Sequence, residues 1–172
     1  MSQDFYSPIA HRLLAVGKAY RCFCSEVDLD RERDVAQAAN VPYVYSRKCM
    51  TLSEKEIQSQ LDAQIPFTIR FKMPTSGSIS FDDMIRGPIS FEGALIGDFV
   101  LVRSDGSPSY NFAVVADDYH MKITHVIRGE DHISNTPKQI ALFDALGYPV
   151  PKFAHLPIIL GTDKSKLSKR HG

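Results

Sequence analysis

The chain has 172 residues, 20 Lys+Arg against 20 Asp+Glu, and 44% hydrophobic residues. That length fits one ordinary domain, or one domain with an insertion, and is enough for a buried core. Zero formal charge excludes a generally basic nucleic-acid binder, and apolar runs as short as residues 157–160 exclude a membrane span, while 23% charged and 10% aromatic residues mark a globular chain. Residues 1–6 carry neither a basic flank nor an apolar stretch, so no signal peptide is read there. Three cysteines without such a signal argue for reduced thiols or a metal site in the cytosol, and against a disulfide framework.

Ser7-Pro8 ahead of Ile9, Leu13, Leu14 and Val16 predicts a short amphipathic helix with Pro8 in its first turn and Gly17 closing it. Residues 19–24 predict a strand. Ser25-Glu-Val-Asp28 and Ser53-Glu-Lys-Glu56 have capping-box spacing and predict two helices, the first to about Ala39, the second through Ile57 and Leu61, with irregular chain at residues 42–49 between them. Phe67-Thr-Ile-Arg-Phe-Lys72 alternates strictly, which predicts a strand with Phe67, Ile69 and Phe71 inward. Ile79-Ser-Phe81 and Ile89-Ser-Phe91 predict paired strands around Arg86-Gly-Pro88. Ser104-Asp-Gly-Ser107 predicts a hairpin turn between residues 99–103 and a strand from Ser109. Beyond Tyr110 the pattern becomes helix (residues 111–121), β-branched strand (123–127), helix from Thr136-Pro137 to Gly147, and buried strand (153–160). That alternation predicts a parallel α/β layer after a largely antiparallel piece.

Two segments have the composition of a ligand site. From Asp163 to Gly172 there are four Lys/Arg and one Asp, a local charge of +3, interleaved with small residues behind an apolar strand. Amines beside hydroxyls and free N–H groups suit a polyphosphate; a solvated basic tail has the same composition. At Arg128, Glu130, Asp131 and His132 a predicted strand ends, the position where open α/β sheets bind ligands. The side-chain chemistry of Arg128 suits bidentate binding of a carboxylate and that of Asp131 suits accepting from a ribose hydroxyl; mutual charge pairing in a polar loop is the other reading.

Ser109-Tyr-Asn-Phe-Ala-Val-Val-Ala-Asp-Asp-Tyr119, His125-Val-Ile-Arg-Gly-Glu-Asp-His132 and Lys166-Leu-Ser-Lys-Arg170, in this order, resemble bacterial glutamyl-tRNA synthetases, which are class I aminoacyl-tRNA synthetases. Gly17-Lys-Ala-Tyr-Arg-Cys-Phe-Cys24, Phe67-Thr-Ile-Arg-Phe71 and Gly97-Asp-Phe-Val-Leu101 fit the same family, and the resemblance covers nearly the whole chain. It implies an α/β fold: part of a Rossmann-like nucleotide-binding fold with a mixed α+β insertion that binds the tRNA acceptor stem. Residues 1–19 would end the first nucleotide-fold half, 20–107 form the insertion, and 108–172 the second half with its lysine loop. The implied activity is glutamate–tRNA ligase: glutamate and Mg2+-bound ATP form glutamyl-adenylate, and the glutamyl group passes to the 3′ end of tRNA(Glu). The implied setting is the cytoplasm, and the full-length enzyme would be a monomer.

The resemblance also assigns roles. Tyr110 and Arg128 would bind glutamate, with Arg128 on its side-chain carboxylate; the related glutaminyl enzymes lack this arginine. Asp131 would contact ATP, the backbone of Ile159 would read adenine, and Lys169, supported by Lys166, would stabilise the phosphate under attack. Cys22, Cys24 and Cys49 match three zinc thiolates of some bacterial members. The usual fourth position here is Thr51, a poor ligand, whereas Tyr45, four residues before Cys49, resembles the tyrosine that completes the site in the glutamyl-Q tRNA(Asp) paralogue. Three buried or partly exposed reduced thiols remain the alternative.

The family's first signature, His-Ile-Gly-His, does not occur, and His11, His120 and His155 have no such context. The chain also stops just past the lysine loop, so it is read as an internal fragment, with Met1 an internal or artificial start, inactive alone in ATP–pyrophosphate exchange. A fragment of the glutamyl-Q enzyme is the second reading. Its lysine loop is typically degraded, so the intact loop here favours the synthetase, and Tyr45 leans the other way. A non-catalytic module binding tRNA through residues 20–107 is the third.

Overall fold

A computed structural model describes residues 3–160 and residue 164, with side chains from residue 5 onward. The first helix, α1 (Gln3–Ala15), starts earlier than its sequence suggests and carries Pro8 inside it. Proline has no N–H for the helical ladder and disfavours helical geometry at Ser7. Burial overrides that cost: Tyr6, Ala10 and Leu13, spaced i, i+4, i+7, all enter the core.

Strand β1 (Ala19–Cys22) pairs antiparallel with β2 (Thr68–Phe71), which pairs antiparallel with β5 (Val100–Val102). Between β1 and β2 lie α2 (Glu26–Ala38) and α3 (Glu54–Asp62). Both start in true capping boxes: Ser25 Oγ accepts from the Asp28 amide at 3.2 Å and Ser53 Oγ from the Glu56 amide at 3.1 Å, each carboxylate returning the bond. A hairpin of β3 (Ser78–Asp83) and β4 (Gly87–Glu92) follows β2.

The hairpin expected at residues 104–107 is reduced to a turn. Asp105 accepts from the Ser107 amide at 2.8 Å, but the second arm is a single bridge, Val102 to Pro108. Pro108 has no N–H to extend the pairing, and Ser109 is already the N-cap of α4 (Tyr110–His120).

Strand β6 (His125–Gly129), a six-residue 3-10 segment (Glu130–Asn135), α5 (Thr136–Leu146) and β7 (Lys152–Leu156) form the α/β layer, and β6 and β7 are parallel as expected. Gly147, at φ +69°, ends α5 in the left-handed conformation that glycine tolerates. Strand β7 stops at Leu156, short of residue 160, because Pro157 cannot donate to the ladder. No helix among the described residues is long and apolar enough to cross a membrane.

One core joins the layers. It contains Leu13 of α1, Ile69 and Phe71 of β2, Leu101 of β5, Phe112 and Val115 of α4, and Leu142 and Phe143 of α5. Phe112 is fully buried. Phe112→Ala is therefore expected to destabilise the fold by about 3–5 kcal/mol, measured as a lower urea midpoint at unchanged slope. A satellite cluster of Cys22, Leu29, Tyr45 and Cys49 is separate from this core.

Candidate active site

Parallel pairing sets Arg128 of β6 beside His155 of β7, one residue before both strands end at the Gly129–Leu156 pair. The Arg128 side chain leans across the end of the sheet. Its Nε donates to His155 Nε2 at 3.1 Å, and one terminal nitrogen donates to Gln139 Oε1 at 2.9 Å. The other terminal nitrogen donates to Thr136 Oγ1 at 2.9 Å and to the His132 carbonyl at 3.4 Å. The group lies 5.4 Å above the Phe153 ring. All of these partners are neutral, and among the described residues no ion pair involves Arg128. Burial lowers its pKa from the ordinary arginine value, opposed by Tyr110, Asp118 and Asp131. Burial likewise pushes the Asp118 carboxyl up, against the pull of Arg128.

Three elements hold the partners still. Thr136 and Gln139, on the first turn of α5, are buried, and Gln139 Nε2 donates to Asn111 Oδ1 of α4 at 3.0 Å. Tyr110, the first residue of α4, is half-exposed, and its hydroxyl lies 3.4 Å from His132 Nδ1. The site thus brings Tyr110 and Arg128 together across the ends of α4 and β6. Asp131 is exposed, and its carboxylate sits over Gly129; a Cβ there would come 2.5 Å from Asp131 Oδ1. Ile159 is 71% exposed on the segment after β7, and Glu130 fastens that segment by accepting from the Ile158 amide at 3.2 Å. The same Glu130 pairs with Arg86 from the β3–β4 turn. Lys166 and Lys169 lie outside the described residues.

Asp83, the last residue of β3, reaches the site from the other side. One carboxylate oxygen accepts from the amides of Ile85, Arg86 and His155 at 3.0, 3.0 and 3.2 Å, and the other faces His155 Nδ1 at 2.5 Å. Both side chains are fully buried. Burial alone would raise the Asp83 pKa, but the bonds from His155 and the three amides outweigh it and hold it down to about 2. A depressed carboxyl contributes stability above its unfolded value, about 3.9, and loses it as pH falls through the folded value. Docking of the hairpin on β7 is accordingly expected to weaken progressively as pH falls below about 4 toward about 2, read from the amide shifts of Ile85 and Arg86.

The cysteines form a second cluster. Cys22 ends β1, and Cys49 lies in a short 3-10 turn (Lys48–Thr51). The three sulfurs lie within 4.8 Å of one another. Cys24 and Cys49 Sγ are 3.6 Å apart, and the Tyr45 hydroxyl is 3.2 Å from Cys22 Sγ and 3.4 Å from Cys24 Sγ. Thr51 bonds back to the Lys48 carbonyl at 3.3 Å and takes no part. Arg70 stacks 3.9 Å from the Tyr45 ring centre, and its Nε has no hydrogen-bond partner among the described residues. Burial pushes the Cys22 thiol up, but bonds from Tyr45 and Arg70 outweigh it and leave it below its ordinary value. Burial, then the charge of Cys22 and the contact with Cys49, push Cys24 up to about 12.

Residues 2–172 match the family described as tRNA synthetases class I (E and Q), catalytic domain. The chain belongs to this family. As a class I E/Q synthetase catalytic domain it is 56% identical to a glutamate–tRNA ligase of Aquifex aeolicus over 98% of its length, and 54% identical to one of Leptospira biflexa over 97%. These alignments cover 36% and 32% of the relatives, so the chain spans about a third of the length of the curated relatives it matches. Among solved structures, a glutamate tRNA ligase of Elizabethkingia meningosepticum in complex with its amino acid superposes with a TM-score of 0.87 at 38% identity, covering 98% of this chain and 35% of that one. The α/β architecture seen here is that of the class I synthetase catalytic fold.

Within this synthetase domain, Tyr110 and Arg128 lie close together, and Cys22, Cys24, Tyr45 and Cys49 form one cluster. Sequence reasoning missed the neutral shell of Thr136, Gln139 and Asn111, and the Asp83–His155 pair. Nothing in the spacing marks Asp83, which meets His155 from 72 residues upstream.

Proposed function

We propose that the chain is part of a glutamate–tRNA ligase, with residues 1–19 ending the first nucleotide-fold half, 20–107 forming the acceptor-stem insertion and 108–172 the second half. The observation that carries this reading is the Arg128 guanidinium, held by four neutral acceptors at the end of a parallel strand. A cation whose own bonds leave its charge unneutralised favours an anionic side chain over an amide, so it prefers glutamate to glutamine. The names of the relatives support glutamate, and the intact lysine loop supports the synthetase over the glutamyl-Q paralogue.

In the proposed reaction Arg128 pairs with the side-chain carboxylate of glutamate, beside Tyr110. The α-carboxylate attacks the α-phosphorus of ATP, and pyrophosphate leaves with its magnesium. Asp131 and the backbone of Ile159 hold the nucleoside, and Lys169 with Lys166 stabilises the charge that grows on the phosphates. The terminal ribose hydroxyl of tRNA(Glu) then attacks the acyl carbon and AMP departs. The enzyme acts in the cytoplasm as a monomer.

The cysteine cluster fits zinc. Tetrahedral bonds of about 2.3 Å put sulfurs roughly 3.8 Å apart, close to the Cys24–Cys49 spacing of 3.6 Å, and the shorter Tyr45 distances suit an oxygen ligand. Arg70 offsets the surplus negative charge of three thiolates on one dication. Zinc bound there would pin β1 to the 45–49 loop and supply no chemistry to the reaction.

The test is a chimera in which this chain replaces its counterpart in the Aquifex aeolicus relative. It should charge tRNA(Glu) with glutamate and not with glutamine. A folded chimera that charges no glutamate, or both amino acids equally, overturns the reading.

A further inference from the structure

We propose that Asp83 and His155 are positioning residues for Arg128: the Asp83 carboxylate fixes the imidazole tautomer, and the tautomer fixes the guanidinium. The inference rests on Arg128 as the glutamate clamp and goes beyond it by assigning what aims the clamp.

The hydrogen-bond inventory determines the tautomer. Arginine has donors only, so His155 Nε2, 3.1 Å from Arg128 Nε, must accept. The Thr136 hydroxyl beside Nε2 spends its single proton on the His132 carbonyl at 3.1 Å. The ring proton therefore sits on Nδ1 and points at the Asp83 carboxylate. The result is one directed chain: Arg128 Nε–H to His155 Nε2, and His155 Nδ1–H to Asp83. In a ring free to exchange tautomers, the Nε2–H form would meet the Arg128 N–H head-on, donor against donor.

Asp83 itself is well anchored. Besides the three amides on one oxygen, the Met84 amide donates to the Phe153 carbonyl at 2.8 Å, tying the hairpin end to β7. Phe81 lies 5.9 Å from the Phe153 ring and 6.3 Å from His155. The β3–β4 hairpin, part of the proposed acceptor-stem insertion, thereby takes part in aiming the amino-acid clamp.

The two oxygens of Asp83 have separate tasks, which makes Asp83→Asn selective. The asparagine carbonyl can keep all three amide bonds while its NH2 replaces the oxygen facing His155. That NH2 can only donate, so Nδ1 must accept and the ring proton moves to Nε2, against Arg128.

The experiment uses the 172-residue chain labelled with 15N. The wild type should show His155 with Nδ1 protonated, and an Arg128 Nε–H that exchanges at least tenfold slower than that of exposed Arg31. In Asp83→Asn the ring proton should move to Nε2, the Arg128 protection should vanish, and L-glutamate should bind at least tenfold more weakly. The Ile85 and Arg86 amide signals should stay in place, showing an intact hairpin. A wild-type Nε2–H tautomer, or a tautomer switch that leaves Arg128 protected, overturns the proposal. A separate outcome addresses the clamp: if the wild type binds glutamate and Arg128→Gln binds it equally well, the clamp reading fails while the tautomer and exchange data still decide the positioning.

Discussion

Arg128→Gln in the Aquifex chimera is expected to cut kcat/KM for glutamate by roughly thirtyfold to several thousandfold, the 2–5 kcal/mol lost when one partner of a desolvated charge pair is truncated. The loss has two parts. The substrate carboxylate, brought into a half-buried site, finds no cation. In addition, the acceptors that converge on the guanidinium, His155 Nε2, Gln139 Oε1 and Thr136 Oγ1, lose most of their donors. A glutamine amide has two N–H donors where the arginine had five, so it cannot serve them all. Arg128→Lys should fall in between: it restores the charge, but a single ammonium cannot reach acceptors arranged around a planar fork. Discrimination against glutamine should fall in both variants. KM for ATP should change less than KM for glutamate, because the proposed nucleoside contacts are Asp131 and Ile159 and not Arg128 itself. An Arg128→Gln chimera with unaltered glutamate kinetics and unaltered discrimination would remove Arg128 from the site.

The same residue shows where sequence is informative and where it stops. The position of Arg128 at the end of a strand was legible because an apolar strand pattern, an arginine and an acidic run coincide within five residues. The two capping boxes were legible for the same reason: Ser25 with Asp28 and Ser53 with Glu56 interact over three positions, and local spacing decides the bond. The cysteine cluster combined a local Cys-x-Cys with a loop cysteine and a tyrosine one turn earlier. What escaped was assembled by tertiary structure. His155 looks like any histidine in a buried strand until the hairpin brings Asp83 to its ring. Thr136 and Gln139 look like an ordinary helix start until β6 lays Arg128 across them. Pro8 misled in the opposite sense: its local preference pointed to a first turn, and the burial of Tyr6 and Ala10 around it extended the helix backwards. The second arm of the 104–107 turn failed because Pro108 and the Ser109 cap claimed those residues for α4.

The second large effect concerns the cysteines. The chain, purified without chelator, is expected to retain about one zinc, and removing it should loosen the region around β1 and the 45–49 loop while α4 and α5 stay packed. The reason is the division of the apolar interior. Cys22, Leu29, Tyr45 and Cys49 form a small cluster separate from the main core, so burial alone gives that region little stability. With free zinc a thousandfold above its dissociation constant, linkage adds about 4 kcal/mol, so amide exchange at Cys22 and Leu29 should speed up roughly a thousandfold on chelation. The pH dependence has a definite sign. Cys24 without metal is pushed up to about 12, so at neutral pH it must release a proton to become a thiolate. Apparent zinc affinity should therefore rise at least about tenfold per pH unit between roughly pH 6 and 8 and weaken as pH falls. Tyr45→Phe separates the ligands from the packing: it keeps the ring under Arg70 and the three sulfurs and removes only the oxygen. Weaker but measurable zinc binding in that variant, and none in Cys49→Ser, is the pattern expected of three thiolates completed by a phenol oxygen. Retention by the wild type of fewer than roughly one zinc per ten chains would instead identify the cluster as three reduced thiols packed beside a tyrosine.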